Sequence, residues 1–262
     1  MSSIAVVASK PELIRKLILT PELNPAGVYV LKLCKDGVWN TVIVDDLLPC
    51  DEYDRPIFAK TKGNQLWVCL LEKAHAKLYG SYHALKSGHA VEGLVSLTGF
   101  PSQTLQFEHD SKAMDTKRLD VVWQTLLPCS KAGFLIGISC GRPEVSEDEY
   151  EKVGLVSNHV YSILQVRSIS GLRLLQLRNP WGDHSWKGDW NKASRLWTPQ
   201  LLEMLKPPKE DDGTFWISFQ DTVKYFSKHY EATNVTPEWR HGMYFLPPLV
   251  KSLLYSQPRR RP

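Results

Sequence analysis

Apolar residues recur every three or four positions from Ser2 to Thr20, with Ile4, Val7, Leu13, Ile14 and Leu17 on one side, and Pro11 opens a second helical segment. The period then changes from helical to alternating. Val28 to Leu33 and Trp39 to Val44 flank Lys35-Asp36-Gly37, the pattern of a tight hairpin, and Asp45-Asp46-Leu-Leu-Pro closes its second strand. Gln65 to Leu85 returns to a helical spacing of four through Leu66, Leu70, Ala74, Leu78 and Tyr82, with Gly80 weakening its last part. Ser87-Gly88 and Leu97-Thr98-Gly99-Phe100-Pro101 read as loop, and Glu108 to Lys117 as a polar linker between two lobes. Leu119 to Cys129 reads as a helix, Gly133 to Cys140 as a buried strand, and Pro143 to Lys152 as an acidic loop.

The most informative stretch follows. His159 to Arg167 and Leu172 to Arg178 are two β-rich runs about Ser170-Gly171. Folding them back as an antiparallel pair brings His159 within a residue or two of Asn179, where Pro180 keeps the chain out of helix. A histidine beside an asparagine is either a structural pair at two strand ends or the base and orienter of a Cys-His-Asn nucleophilic site. Trp181 could roof the pair against water. Trp181, Trp186, Trp190 and Trp197 otherwise read as core. Gly213 to Phe219 is a last alternating strand, Gln220 to Lys228 a last helix, and the pattern fades from Glu231 into a Pro-Arg tail.

Composition narrows the class. The 262 residues suffice for one substantial core or two small lobes. A net charge of +4, dispersed except for Arg259-Arg260-Arg261, is too dilute for nucleic-acid binding. No apolar run is long enough to span a membrane, and no secretory leader is evident. The 5 cysteines, Cys34, Cys50, Cys69, Cys129 and Cys140, form no C-x-x-C and no metal cluster, which points to a reducing cytoplasm. Cys69 lies on an apolar helix face, and none of the five follows a Gly-rich turn into a helix N-terminus, where a thiolate would be stabilised. His75 and His83 read as surface or half-buried polar residues.

Five ordered segments then share one resemblance. Val44-Asp-Asp-Leu-Leu-Pro, Leu66-Trp-Val-Cys-Leu-Leu-Glu-Lys-Ala-His-Ala-Lys-Leu-Tyr-Gly-Ser-Tyr, Asn158-His-Val-Tyr-Ser, Leu177-Arg-Asn-Pro-Trp-Gly and Gly213-Thr-Phe-Trp-Ile-Ser-Phe resemble the calpain protease core over about residues 2 to 230. The stretch from Val30 to Glu52 is most similar to the small optic lobes subfamily, calpain fifteen.

The resemblance implies a papain-like α+β fold: residues 1–105 as the rest of a first lobe, 106–230 as a β-rich second lobe, 231–262 as a tail or the start of a following region. It implies an intracellular cysteine endopeptidase acting on protein or peptide substrates, with His159 and Asn179 catalytic, Trp181 shielding them, and Gly99 and Asn158 in the substrate groove. Asn158 replaces the family's usual glycine. The chemistry requires no cofactor, and calcium is a family-level regulator. Of the calcium ligands only Asp212 is retained, with Ser185, Lys192 and Thr214 at the other matching positions, so the metal site is expected to be largely lost. The family's Gly-Asp-Cys-Trp segment would fall just before Ser2, so these residues alone are expected to be inactive. The alternatives are a non-catalytic scaffold binding partners through the same cleft and, more distantly, a papain-like acyltransferase. Oligomeric state is not legible.

Overall fold

The computed structural model describes residues 2–59, 65–85, 88–106, 116–183, 185–233 and 235. The chain divides into two compact units, Met1–Ser102 and Gln103–Pro262, a division at 102/103 where the sequence reading set 105/106. Residues 108–115 of the expected linker and 234 and 236–262 of the expected tail lie outside the described residues.

In the first unit, helices α1 (Ser2–Ala8) and α2 (Pro11–Leu17) precede the hairpin of β1 (Val28–Lys35) and β2 (Val38–Asp45). Lys35 pairs with Val38 across a turn in which Asp36 and Gly37 both take positive φ, 53° and 76°, the geometry whose twist suits a two-residue hairpin. Helix α3 (Trp67–Tyr79) ends where Gly80 adopts the left-handed conformation, φ 102°. The expected helix to Leu85 therefore stops short. Tyr82 lies beyond it and stacks on Phe58, ring centroids 4.3 Å apart, and His83–Leu85 forms a single 3-10 turn. His75 is buried at 8% exposure rather than half-exposed, with Nδ1 3.1 Å from Leu71 O.

Helix α4 (Ala90–Thr98) corrects the reading of this region as loop. Its Gly93 is a close-packing glycine: a Cβ there would run into Ser3 of α1, whose hydroxyl donates to Ala90 O at 3.0 Å. Leu94 and Leu97 of α4 join Ile4 and Val7 of α1 among the buried residues.

The second unit is built on one sheet. Strands β3 (Ser102–Gln106), β4 (Leu135–Cys140), β5 (His159–Ile169), β6 (Leu172–Arg178), β7 (Thr214–Ser218) and β8 (Phe226–Thr233) take the order β3-β8-β4-β5-β6-β7. Helices α5 (Thr116–Lys131), α6 (Glu147–Val153), α7 (Pro199–Leu205) and α8 (Phe219–Tyr225) complete it. Trp123, Leu126, Ile138, Tyr161, Leu175, Leu177, Phe215 and Val223 share the main core. Leu174, Trp190, Leu201, Leu205 and Trp216 form a separate cluster.

Two expectations are corrected here. The acidic loop contains α6, started by Ser146, whose side chain accepts from Glu149 N–H, with three carboxylates in its first turn where the helix dipole favours them. The last helix ends at Tyr225 rather than Lys228, because Phe226, Tyr230 and Ala232 alternate into the core as β8, which pairs with β4 from Phe226 to Thr233.

Gly93→Ala is expected to destabilise the chain by about 1–3 kcal/mol, because the new methyl overpacks the α1–α4 contact. Denaturant midpoints check this, and adding Ser3→Gly to the same chain should recover part of the loss.

Candidate active site

The site is assembled by a bulge. Strand β5 pairs with β6 through Ile163↔Leu177 and then Gln165↔Gln176, leaving Leu164 as the extra residue. In a sheet a one-residue slip moves side chains to the opposite face. Without the bulge, Asn179 would continue opposite Ser162. With it, the Ser162↔Arg178 register continues to place Asn179 across from Tyr161, on the face that carries His159.

There Asn179 is fully buried, at 0% exposure, and His159 is buried at 9%. The Asn179 carboxamide is fixed at both ends. Its Nδ2 donates to Asp183 O at 2.7 Å, and its Oδ1 accepts from Trp181 N–H at 3.1 Å, an Asx turn. The same Oδ1 lies 2.9 Å from His159 Nε2, so Nε2 must carry the proton and donate. In the neutral ring Nδ1 is then the basic nitrogen. The asparagine thus selects the tautomer as well as the ring angle.

Around the ring, Tyr161 meets His159 edge-on at 5.2 Å, its hydroxyl accepting from Val156 N–H at 2.9 Å. Trp181 lies over the imidazole at 4.5 Å, tilted by 50°, and is itself 57% exposed. Burial pushes the His159 pKa below 6.5; the Asn179 hydrogen bond and the nearby Asp183 carboxylate pull the other way without reversing it. The two contributions of Asp183, its carbonyl on Asn179 and its charge near His159, were missed from sequence. The signal was the Asn-Pro-Trp-Gly-Asp turn itself.

Asn158, exposed and next to the base, has φ 50°. Asparagine tolerates this left-handed conformation better than other side-chain-bearing residues, so the backbone geometry a glycine would supply is kept. Gly141 packs beneath it: a Cβ on Gly141 would meet Asn158 N at 3.0 Å. Gly99 belongs to the first unit, where it caps α4 with φ 67°. Its N–H donates to Val95 O at 2.8 Å, and a Cβ on it would strike the Trp39 ring. Its N–H is therefore engaged in the cap.

Asp212 uses Oδ1 to accept Thr214 N–H at 2.9 Å, and the neighbouring Asp211 holds the Lys192 ammonium at 2.7 Å. Among the described residues no group of three or more His, Cys, Asp and Glu could hold a metal. An ammonium paired with the carboxylate next to Asp212 does not fit a hard divalent cation, which requires several anionic or carbonyl oxygens.

The thiols complete the inventory. Cys129 and Cys140 are buried and their pKa values are pushed up to about 11 and about 12, chiefly by burial, although Cys140 is the β4 partner of His159. Burial raises that of Cys69 as well, and Cys34 is also buried.

A buried imidazole whose one proton is fixed by an asparagine, at the end of an antiparallel sheet, has the geometry that a base and its orienter require. The calpain family cysteine protease profile matches residues 1–231, and the chain belongs to that family, with its papain-like α+β fold. It is 38% identical over 247 residues to the calpain-type cysteine protease ADL1 of Oryza sativa subsp. japonica, covering 93% of this chain and 11% of that protein. It is 37% identical over 246 residues to the calpain-type cysteine protease DEK1 of Arabidopsis thaliana, with the same coverages of 93% and 11%. Calpain-7 of Homo sapiens is 35% identical over 222 residues, 82% of this chain and 27% of that protein. The chain thus spans about a tenth of the length of the plant relatives.

Two outcomes test this geometry. An NMR titration of His159 should give a midpoint below 6.5, and Asn179→Ala should lower it further, because the lost hydrogen bond favoured the charged ring. In the interval between that midpoint and 6.5 the unfolded state binds more protons than the native state. Stability from this group is therefore complete above 6.5 and lost as the pH falls through the interval. At the preceding position, Asn158→Gly should be near neutral in thermal unfolding, whereas Asn158→Val should cost about 1–2 kcal/mol for a β-branched residue at positive φ.

Proposed function

We propose that this chain is the acid–base and substrate-binding part of a cysteine endopeptidase that carries out limited proteolysis of protein substrates. The observation that carries the reading is the His159 Nε2 to Asn179 Oδ1 hydrogen bond of 2.9 Å, with the carboxamide oriented by Asp183 O. Nδ1 of His159 takes the proton of a cysteine thiol. The thiolate attacks the peptide carbonyl to give a thioester, and the imidazolium returns the proton to the leaving amine. Water, deprotonated by the same nitrogen, releases the acid. Trp181 shields the pair from solvent, while Asn158 borders the substrate.

Cys34, Cys50, Cys69, Cys129 and Cys140 do not supply that thiolate in our reading. Four are buried, and the exposed Cys50 sits in the loop after β2, with its thiol donating to Leu48 O at 3.4 Å, rather than at a helix N-terminus. None of the five is placed to act as the nucleophile, so in our reading these 262 residues alone do not turn over peptides. No step draws on a cofactor or on calcium. The five unpaired cysteines support a reducing compartment, the cytoplasm, and no helix among the described residues is long and apolar enough to cross a membrane.

The test joins a Gly-Asp-Cys-Trp-type segment to the start of α1 and measures cleavage of a fluorogenic peptide. His159→Ala is expected to lower kcat/KM by at least about 10²–10⁴. Equal rates would refute the role given to the histidine, and peptide binding without cleavage in the cysteine-bearing protein would favour a scaffold.

A further inference from the structure

The backbone of Asn179 rests on a loop that carries an ion pair. The segment Asp211–Gly213 enters β7 directly behind it. The Asn179 N–H donates to Gly213 O at 2.8 Å, and a Cβ on Gly213, whose φ is 81°, would meet Asn179 O at 2.7 Å and Gly182 Cα at 2.9 Å. Movement of that loop therefore moves the residue that orients the base.

Facing the loop is the segment from Ser185 to Ser194, and its own hydrogen bonds fix it. Lys187 N–H donates to Val153 O at 2.9 Å, tying the segment to the end of α6. Trp186 Nε1 donates to Asp189 O at 2.6 Å, and Asn191 Nδ2 donates to Lys187 O at 3.0 Å and Gly188 O at 2.7 Å. Trp197 Nε1 donates to Asn191 O at 2.7 Å. The carbonyl oxygens of Lys187, Gly188, Asp189 and Asn191 in this segment thus already accept protein N–H groups. From this platform Lys192 reaches Asp211 Oδ2 at 2.7 Å, while the Ser185 hydroxyl donates to Oδ1 at 3.3 Å. The cation between the two loops belongs to the chain.

We propose that Lys192 is a positioning residue whose ammonium takes the place of an external divalent cation, holding Asp211–Gly213 against Asn179 so that the His159–Asn179 pair stays aligned without calcium. The proposal rests on reading that pair as base and orienter. Because Lys192 and Asp211 are 53% and 62% exposed, the effect is graded rather than all-or-none.

The experiment is an NMR titration of the 262-residue chain with calcium chloride against EGTA, reading the Asn179 side-chain amide, the His159 imidazole and amide exchange at Asn179. The unsubstituted chain should show no saturable calcium-dependent shift up to about 10⁻³ M, the weak end of protein calcium sites. Lys192→Gln should speed exchange of the Asn179 N–H by about two- to fivefold, the ratio an exposed ion pair supports. Lys192→Arg should restore the original rate. Lys192→Asp should perturb the Asn179 and His159 signals in EGTA and return them saturably on calcium addition, a gain that loss of packing alone would not produce. A saturable calcium shift in the unsubstituted chain overturns the proposal, as does an unchanged exchange rate in Lys192→Gln. Where Lys192→Asp does not fold, the unsubstituted titration and the Gln and Arg variants decide. The catalytic reading fails separately: undiminished cleavage by a cysteine-bearing His159→Ala protein would refute the base and leave these binding results standing.

Discussion

Everything at this site depends on one buried carboxamide. Asn179 has no exposed surface, and its side chain and backbone engage His159, Trp181, Asp183, Gly182 and Gly213. Each contact removes a freedom: Asp183 O decides which end of the amide is oxygen, that oxygen decides which imidazole nitrogen keeps its proton, and the Gly213 carbonyl fixes the backbone from behind. A buried amide left without such partners would cost about 1–3 kcal/mol per unmatched group, so the alternatives to this arrangement are disfavoured together rather than one at a time.

The sheet supplies the stiffness. Tyr161 is packed between His159 and the aromatic rings of Phe215 and Phe226, at 6.0 Å and 5.3 Å, so the imidazole stands on a close-packed core rather than on a mobile loop. The bulge at Leu164 makes this support usable, since it brings Asn179 to the face of His159 while Val166, Ile163 and Tyr161 all stay in the core. The site lies at the end of β6, where the ladder stops and the Asn-Pro-Trp-Gly turn begins.

Much of this was legible in the chain. The β5–β6 hairpin follows from alternation about Ser170-Gly171, and the nearness of His159 and Asn179 from counting back along it. The bulge at Leu164 was not read from the sequence, because Ile163, Leu164 and Val166 are all apolar and their spacing does not mark the extra residue. What escaped had physical reasons. Helix α4 hid behind Gly93, a residue that reads as a breaker but serves close approach to Ser3. Helix α6 hid behind its own charges, although Ser146 and Glu149 form a capping pair. The start of strand β8 was read as helix and its end as a fading tail because Phe226, Tyr230 and Ala232 become periodic only beside their partners on β4. The role of Asp183 rests partly on a backbone carbonyl, whose direction the Asn-Pro-Trp-Gly-Asp turn signals but does not fix.

The electrostatic balance at His159 explains why an asparagine, rather than a carboxylate, holds the ring. Burial disfavours the imidazolium, and the Asn179 hydrogen bond with the Asp183 charge offsets only part of that, so the resting ring is neutral and Nδ1 is free of a proton near pH 7. A carboxylate in the place of Asn179 would bring a full negative charge to a site with no exposed surface, raise the ring's pKa and favour the protonated form before any substrate arrives. The neutral amide gives the same geometry without that charge. In the mechanism proposed above, such a base stays deprotonated until a thiol's proton reaches it, and the resulting ion pair would be stabilised by contacts already in place.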